Sequence, residues 1–470
     1  MAELQFSMLL SLREMALRKF VALLWSGSDI LVSISKFRYH ERKMKKKVLK
    51  LGLPKLLTEQ MCEIVRPIGL QIKRWKKLQK SNLSDEAEEI ILPDSSILCW
   101  TSAGVLDYRK TAIEFVRCDV IDVVLRYKIA CINCLEDDIP LLWEELPEEK
   151  KDYFYNKVKC QMPLSDDSPF LPFCWPHILK GELSRLDYLV ESYSVTFNQW
   201  AFEGSALMGN KMATEYFFPK VQIEGKSAHL KIIADFVLGN GFYDVLFYLL
   251  PFMNCKKRNK IFNKTPFRVL FFFLDWPWQD LFLKNSFVLW NYFRPDSYNS
   301  LLHEIHSRFK NSDPYIQKLF PEFFKQSPVG FKERFINSCY DGRIRFVNSL
   351  YELEKVYAFR FLEIFLESED SDSIKAIFRN IYAEDRLRLT LNPTVLSLFH
   401  QFVLKDKLHM VELCLREAML SEEHRKRVKE VFTELLLIDE SKTIKFKRIF
   451  EFLDEADTEK RGEKRKLEDC

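Results

Sequence analysis

The chain has 470 residues, of which 47% are hydrophobic, 14% aromatic and 29% charged. Its 71 basic and 67 acidic residues give a formal net charge of +4, and this near balance argues against a polyanion as the main partner. The 11 cysteines are odd in number and scattered over a long chain, so they favour reduced intracellular thiols over a disulfide framework.

The first 25 residues contain apolar stretches, but Glu3 precedes them and charges such as Arg13 and Lys19 interrupt them. A signal peptide has a basic start and a clean apolar core, so none is expected here. No run of 18 uncharged apolar residues occurs, and no membrane span is expected either. These features predict a protein of the cytoplasm or the nucleus, without a membrane partner.

Two basic runs follow the first amphipathic segment, at residues 37–50 and 73–80. The second run contains Trp75, which could stack on a base. One alternative function is therefore a nuclear or RNA-associated protein that binds through these N-terminal helices. A charged run is usually a solvated helix face, so nucleic acid is not the partner we favour. The first run contains Arg38, Arg42, Lys43, Lys45, Lys46, Lys47 and Lys50.

Between the basic runs, Leu53-Pro54 opens a short segment with apolar residues at helical spacing, among them Leu56 and Met61. This start resembles an F-box, which would imply an F-box-like substrate adaptor as a further alternative. The long basic lead and Pro67-Ile68-Gly69 depart from that pattern. Residues 81–95 are polar and acidic and form the expected linker after the module.

A turn followed by apolar residues at positions +2, +5, +8 and +9 recurs along the rest of the chain. The clearest copy follows Gly342, and its apolar residues lie on one face of a helix. Full matches also follow Gly181, Asn240 and Asp406, and partial matches follow Asp137, Asn210 and Asp372. The turns recur roughly every 33 residues, apart from one long gap between 240 and 342. Such a hairpin needs neighbouring copies to bury its apolar face.

A helix, a tight Gly/Asn/Asp turn and a second helix at this period resemble the ankyrin repeat. The small residues that ankyrin repeats favour just before the turn occur as Ser338/Cys339, Ala206/Leu207 and Asn133/Cys134. The family's opening Thr-Pro-Leu-His is nearly absent, and Thr265-Pro266 begins its nearest relic. The resemblance covers roughly residues 110–435, and the chain is also similar to ankyrin-like proteins of arthropods. It implies an array that binds another protein.

We therefore predict an all-α fold: an ankyrin-like α-helical repeat solenoid with an N-terminal helical module. The predicted segments are a helical module with the basic segment at 1–95, degenerate repeats at 96–435, a C-terminal capping helix at 436–457 and a disordered charged tail at 458–470. In the tail, a possible nuclear-import motif consists of Lys460, Arg461, Lys464, Arg465 and Lys466.

Candidate chemistry is sparse. Cys131, Cys134, Cys174 and His177 would together make a Cys₃His zinc set, but the two pairs are far apart. The repeat frame also places Cys134 and His177 beside turns without any metal. Phosphate-binding, dinucleotide-binding and nucleophile-elbow motifs do not occur. We expect no catalytic, cofactor-binding or metal-binding residues.

An aromatic cluster at residues 267–298 is either an over-packed core or an exposed recognition surface, and core packing is the commoner outcome. The function expected from these patterns is a non-enzymatic scaffold or adaptor for protein–protein interaction. We expect a monomer whose partner is another protein, and the sequence does not identify that protein.

Overall fold

The computed structural model describes residues 9–27, 30, 33–82, 98–157, 170–221, 223–310, 314–337, 357–436 and 446–454. Within these ranges the ordered elements are helices, and one isolated antiparallel bridge joins Trp100 and Leu106. The predicted all-α class is therefore confirmed. No helix within the same ranges is long and apolar enough to cross a membrane.

The described chain divides into two compact units between Phe282 and Leu283. This division lies inside the segment predicted to hold repeats, and the boundaries predicted from sequence stay predictions. The helices of the first unit are α1 (Leu12–Leu24), α2 (Phe37–Leu49), α3 (Lys55–Asn82), α4 (Tyr108–Val116), α5 (Val123–Ile132), α6 (Ile139–Glu145), α7 (Glu148–Asn156), α8 (Leu171–Leu179), α9 (Leu183–Val190), α10 (Phe197–Leu207), α11 (Lys211–Phe217), α12 (Ile223–Asn240), α13 (Tyr243–Leu249), α14 (Cys255–Lys264) and α15 (Pro266–Phe273).

The second unit begins within α16, and residues 446–454 at its end are also helical. The predicted tail lies outside the described residues. The helices of this part are α16 (Phe282–Leu289), α17 (Pro295–Lys310), α18 (Pro314–Gln326), α19 (Val329–Asn337), α20 (Tyr357–Ser368), α21 (Ser371–Arg379), α22 (Ala383–Thr390), α23 (Pro393–Leu404), α24 (Leu408–Glu417) and α25 (Glu422–Leu436).

In the N-terminal module, α1 and α2 both pack against the long helix α3. Trp25 is fully buried between them, stacks on Phe37 with ring centroids 5.4 Å apart, and donates from its indole Nε1 to the Val65 carbonyl at 2.8 Å. Gly69 makes room for this indole, because a Cβ at that position would lie 2.3 Å from Trp25 Cζ2. The indole of Trp25 can occupy this position only because residue 69 has no side chain.

Among the described residues, six helix pairs are closed by the same backbone turn. In each pair, a residue just after the first helix has a positive φ. The N–H of the residue that follows it donates to the carbonyl five residues before that donor, at 2.8–3.0 Å. This is the Schellman motif, which satisfies helix carbonyls that would otherwise lack donors. The positive-φ residues are Cys134, Gly181, Gly209, Gly241, Glu369 and Asp406.

The residues at +5, +8 and +9 from a positive-φ residue face the core. After Gly241 these are Leu246, Leu249 and Leu250, and each of them is buried. The three equivalent positions after Glu369 are Ile374, Ile377 and Phe378, which are completely buried. The second helix of each pair thus presents one apolar stripe inward, as its sequence periodicity predicts.

The structure corrects the predicted turn positions. Gly181 and Asp406 are the turn residues, as predicted. Two predicted turns are displaced by one residue, because the positive φ belongs to Gly209 instead of Asn210 and to Gly241 instead of Asn240. Two more are displaced by three residues, to Glu369 from Asp372 and to Cys134 from Asp137. Asp372 lies inside α21. The Gly342 copy lies outside the described residues.

Within each unit, there are successive pairs whose first helices contact each other, and successive pairs whose second helices contact each other. In the first unit α5 packs on α8, α10 on α12 and α11 on α13. In the second unit the first helices α17, α20 and α23 contact in succession, and so do the second helices α18, α21 and α24. A third helix, α19 or α22, follows each of the first two pairs there, and these two also contact each other.

Phenylalanine fills the core of the second unit. Phe320 lies 5.0–6.4 Å, ring centroid to ring centroid, from Phe324, Phe335, Phe361 and Phe365. These five side chains are fully buried. Aromatic pairs at such distances add to the stabilisation from buried area. The high phenylalanine content therefore serves packing between helices of successive pairs.

Polar contacts also join successive pairs in the second unit. Arg379 on α21 donates through Nε to Glu417 on α24 at 2.7 Å, and a second guanidinium nitrogen contacts the other carboxylate oxygen. This bidentate bond raises the pKa of Arg379. Lys405, beside the next turn, binds Glu367 of α20. Two adjacent pairs are thus joined at both ends of their interface.

We expect Gly69→Ala to lower the free energy of unfolding by about 1–3 kcal/mol, because the new methyl group would displace the buried indole of Trp25. The matched control is Gly330→Ala on α19, where no atom lies within 4 Å of the added Cβ. That substitution should raise stability by roughly 0.5–1 kcal/mol. Urea denaturation followed by circular dichroism measures both. Equal effects would contradict the packing described for Trp25.

Candidate functional site

A polar cluster of the first unit lies at the turn between α8 and α9. Its members are Tyr155 on α7, His177 near the end of α8, Lys180 and Glu182 in the turn, and Arg185 on α9. The turn exists because Gly181 has a φ of +72° and lets the chain reverse within two residues. Contacts of α7 and α9 with α8 bring the three helices together here.

His177 is the buried centre of this cluster. Its side chain is fully buried, with Nδ1 2.8 Å from a Glu182 carboxylate oxygen and Nε2 3.1 Å from the Tyr155 carbonyl oxygen. The N–H of Glu182 also donates to the His177 carbonyl at 2.8 Å. Two contacts therefore tie Glu182 to His177, one through the backbone and one through the side chains. The imidazole reinforces the Schellman turn.

Tyr155 and Arg185 complete the cluster on the outer side. The Tyr155 hydroxyl donates to the Glu182 carboxylate at 3.0 Å and accepts from Arg185 Nη1 at 3.0 Å. The hydrogen bond from His177, followed by that from Tyr155, lowers the pKa of Glu182. The Glu182 carboxylate in turn raises the pKa of the Tyr155 phenol, because it accepts the phenol's hydrogen.

Two cations lie on the Tyr155 ring. Lys180 Nζ is 3.8 Å from the ring centroid, and the Arg185 guanidinium carbon is 5.2 Å from it. Tyr188, three residues after Arg185 on α9, lies beside it on the helix surface and is 74% exposed. We call the group Tyr155, Lys180, Arg185 and Tyr188 the Tyr155 surface. It combines aromatic and guanidinium groups, which are enriched at binding hot spots.

The protonation chemistry of this cluster favours binding. The pKa of Glu182 is lowered and that of Tyr155 is raised, so near neutral pH the carboxylate stays charged and the phenol stays protonated. A general acid or base works best with a pKa near the operating pH, and these shifts move both groups away from it. What remains is a rigid, locally cationic surface.

The four residues considered as a zinc set, and rejected from the sequence, do not form one in the structure. Cys131, Cys134 and Cys174 are buried, and burial raises the pKa of the Cys131 and Cys134 thiols, which favours the neutral form over the thiolate that binds metals. His177 is engaged with Glu182 and Tyr155. Among the residues that the structure describes, no group of three or more His, Cys, Asp or Glu side chains could hold a metal ion.

The second basic run differs from what a nucleic-acid surface needs. Trp75 is only 3% exposed, so it packs in the core and is not available to stack on a base. Arg74 donates to Asp275 at 3.1 Å within the same unit. Pro67 and Gly69, which depart from the F-box pattern, lie inside the continuous helix α3.

The aromatic cluster predicted at 267–298 is core only in part. Phe272 and Phe273 on α15 are buried, as are Phe282, Phe293 and Tyr298. Phe287 on α16 has 71% of its surface exposed. The other aromatic residues are half-buried: Phe267, Phe271, Trp276, Trp278, Trp290 and Tyr292. The five tail residues proposed for nuclear import (Lys460, Arg461, Lys464, Arg465 and Lys466) lie outside the described residues.

Sequence reasoning missed Tyr155, Glu182 and Arg185. One signal was available: His177 and Glu182 are five residues apart across Gly181, and a Schellman turn brings these two positions together. Tyr155 carries no such signal, because it lies on another helix and far from the turn in sequence.

No protein-family model matches the chain, and no curated protein has significant similarity to it. Function must therefore be argued from the geometry of the described residues.

We expect Glu182→Gln to destabilise the first unit at neutral pH, with a smaller effect in acid. A lowered folded-state pKa means that the carboxylate contributes stability above its ordinary pKa of 4.5 and loses this contribution as the pH falls through the folded value. Urea midpoints of wild type and variant should converge as the pH falls. Glu144→Gln, at an exposed carboxyl on α6, serves as the control. A difference that stays constant with pH would contradict the cluster's electrostatics.

Proposed function

We propose that the chain is a non-enzymatic scaffold for protein–protein interaction, built on ankyrin-like helix pairs. The observation that carries the proposal is the recurrence of one Schellman turn in six helix pairs, together with contacts between helices in corresponding places. Repeated pairs that lean on their neighbours give extended, rigid surfaces, which such proteins use for binding.

The corrected turn positions support the ankyrin-like character in part of the first unit. Four and three residues before the positive-φ residue stand Ala130 and Cys131 in one pair, and Ser205 and Ala206 in another. All four are buried small side chains, which allow the two helices to approach closely. The second unit departs from a two-helix repeat, because α19 and α22 add a third helix after their pairs.

The Tyr155 surface is the proposed binding site. Three of its members are held in place, because Glu182 contacts Tyr155 and Arg185 and Lys180 packs on the Tyr155 ring. Little side-chain entropy therefore remains to be lost on binding. Lys180 and Arg185 present two positive charges, of which Glu182 balances one. A partner with an acidic side chain beside an apolar group fits this combination, with Tyr188 as the exposed anchor.

Tyr188→Ala should weaken partner binding by roughly tenfold or more while leaving stability unchanged, because the side chain is exposed and has no role in the cluster. The control is Tyr382→Ala, an exposed tyrosine of the second unit. Cross-linking in cells would identify proteins captured by wild type, and titration of the purified partner would measure the loss. Equal binding by the two variants would contradict the assigned surface. Failure of the wild-type chain to bind any protein would contradict the scaffold function itself.

A further inference from the structure

The turn between α2 and α3 exposes four leucines within eight residues. Leu49 ends α2 with 63% of its surface exposed, and Leu56, the second residue of α3, has 59% exposed. Leu51 and Leu53 between them are also exposed. We call these four residues the leucine turn. Single exposed leucines are ordinary, but a contiguous group of this kind marks an interaction site.

The backbone holds this turn outward. Gly52 has a φ of +65°, and nothing lies within 4 Å of a Cβ built on it, so the chain reverses there in open space. Phe37, Met44 and Val48 fill the buried side of α2 against α3. Leu49 lies on the opposite side of the helix from Met44, so the packing of the module cannot bury it.

Cations line the same outer side of α2. Arg38, Arg42 and Lys46 follow one another at intervals of four residues, and Lys50 caps the helix beside the leucine turn. All four side chains are exposed, and within the described part of the chain none of them forms an ion pair. The only acidic residue of α2 is Glu41, which is buried and bound by Arg66 at 2.8 Å.

We propose that the leucine turn and the cationic side of α2 dock on an anionic lipid bilayer. The leucines would enter the boundary between headgroups and acyl chains, and the cations would lie at the level of the anionic headgroups. Tyr39, also exposed on this side, has the apolar ring and polar tip that suit the interface. The mode is peripheral binding, without a membrane-spanning segment.

The leucines decide between a lipid and a nucleic acid. RNA would use the cations and could stack a base on Tyr39, but Trp75 is buried and the four exposed leucines offer no surface on which bases stack. A bilayer uses both features of the surface. This inference revises the expectation of no membrane partner, which rested on the lack of a signal peptide and of a run of 18 uncharged apolar residues.

The test is co-sedimentation of the full chain with vesicles of phosphatidylcholine, with and without phosphatidylserine. Wild type should bind the anionic vesicles only. Leu49→Ser/Leu56→Ser should weaken that binding by roughly tenfold or more, because two inserted side chains are lost. Arg42→Gln/Lys46→Gln should weaken it by roughly fivefold for each charge removed. Circular dichroism checks that each variant is folded.

Leu141→Ser is the matched control, since Leu141 on α6 is 65% exposed in the same unit but has no part in the proposed surface. It should bind vesicles as wild type does. The proposal is overturned if wild type does not bind anionic vesicles, or if the double leucine variant binds as well as Leu141→Ser. Preferential binding of generic RNA that depends only on the cations would likewise overturn it.

Discussion

Each helix pair depends on one backbone conformation. The first or second residue after the first helix takes a positive φ, and only then can the next N–H reach the carbonyl five residues back. Glycine adopts this conformation without strain, whereas for other residues a left-handed conformation costs about 1–2 kcal/mol. At Glu369 the neighbouring pair helps to hold it, because Lys407 Nζ lies 3.5 Å from the Glu369 carboxylate. Packing between pairs and the conformation of the turn therefore support each other.

Much of this architecture could be predicted from the sequence. The helical periodicity gave the all-α class, and Gly181 and Asp406 were placed correctly. The other positions show what a pattern cannot resolve. Asn210 is the N-cap of α11, where its side chain accepts from the Ala213 N–H at 3.1 Å, and the preceding Gly209 makes the turn. Asparagine favours both roles, so composition alone does not separate them.

Glu369 was beyond sequence reasoning for a different reason. Glutamate has no preference for positive φ, so only the tertiary structure selects it. Asp372 is the predicted turn former, but it lies inside α21, and the preceding Asp370 caps that helix by accepting from the Ser373 N–H at 3.0 Å. The same limit applies to the Tyr155 surface, because its members come from three helices and meet only when those helices pack.

Both proposed surfaces lie at turns between packed helices, where some side chains remain exposed. At the α8–α9 turn, side chains reinforce the backbone turn, and the groups that do so also face outward. At the α2–α3 turn, one side of α2 packs against α3, and the leucines of the turn remain exposed. One surface is suited to a protein with acidic groups and the other to an anionic interface. Both are in the first unit, where partners of different kinds could bind at separate places.

Hydrogen exchange at single-residue resolution tests the helix-pair architecture most directly. The amides of Glu182, Asn210, Phe242, Asp370 and Lys407 each donate across a turn, so all five should exchange much more slowly than the first-turn amides of the helices that follow, such as that of Ser184. Exchange of these five amides as fast as that of Ser184 would contradict the account, because the turns that close the pairs would then be open.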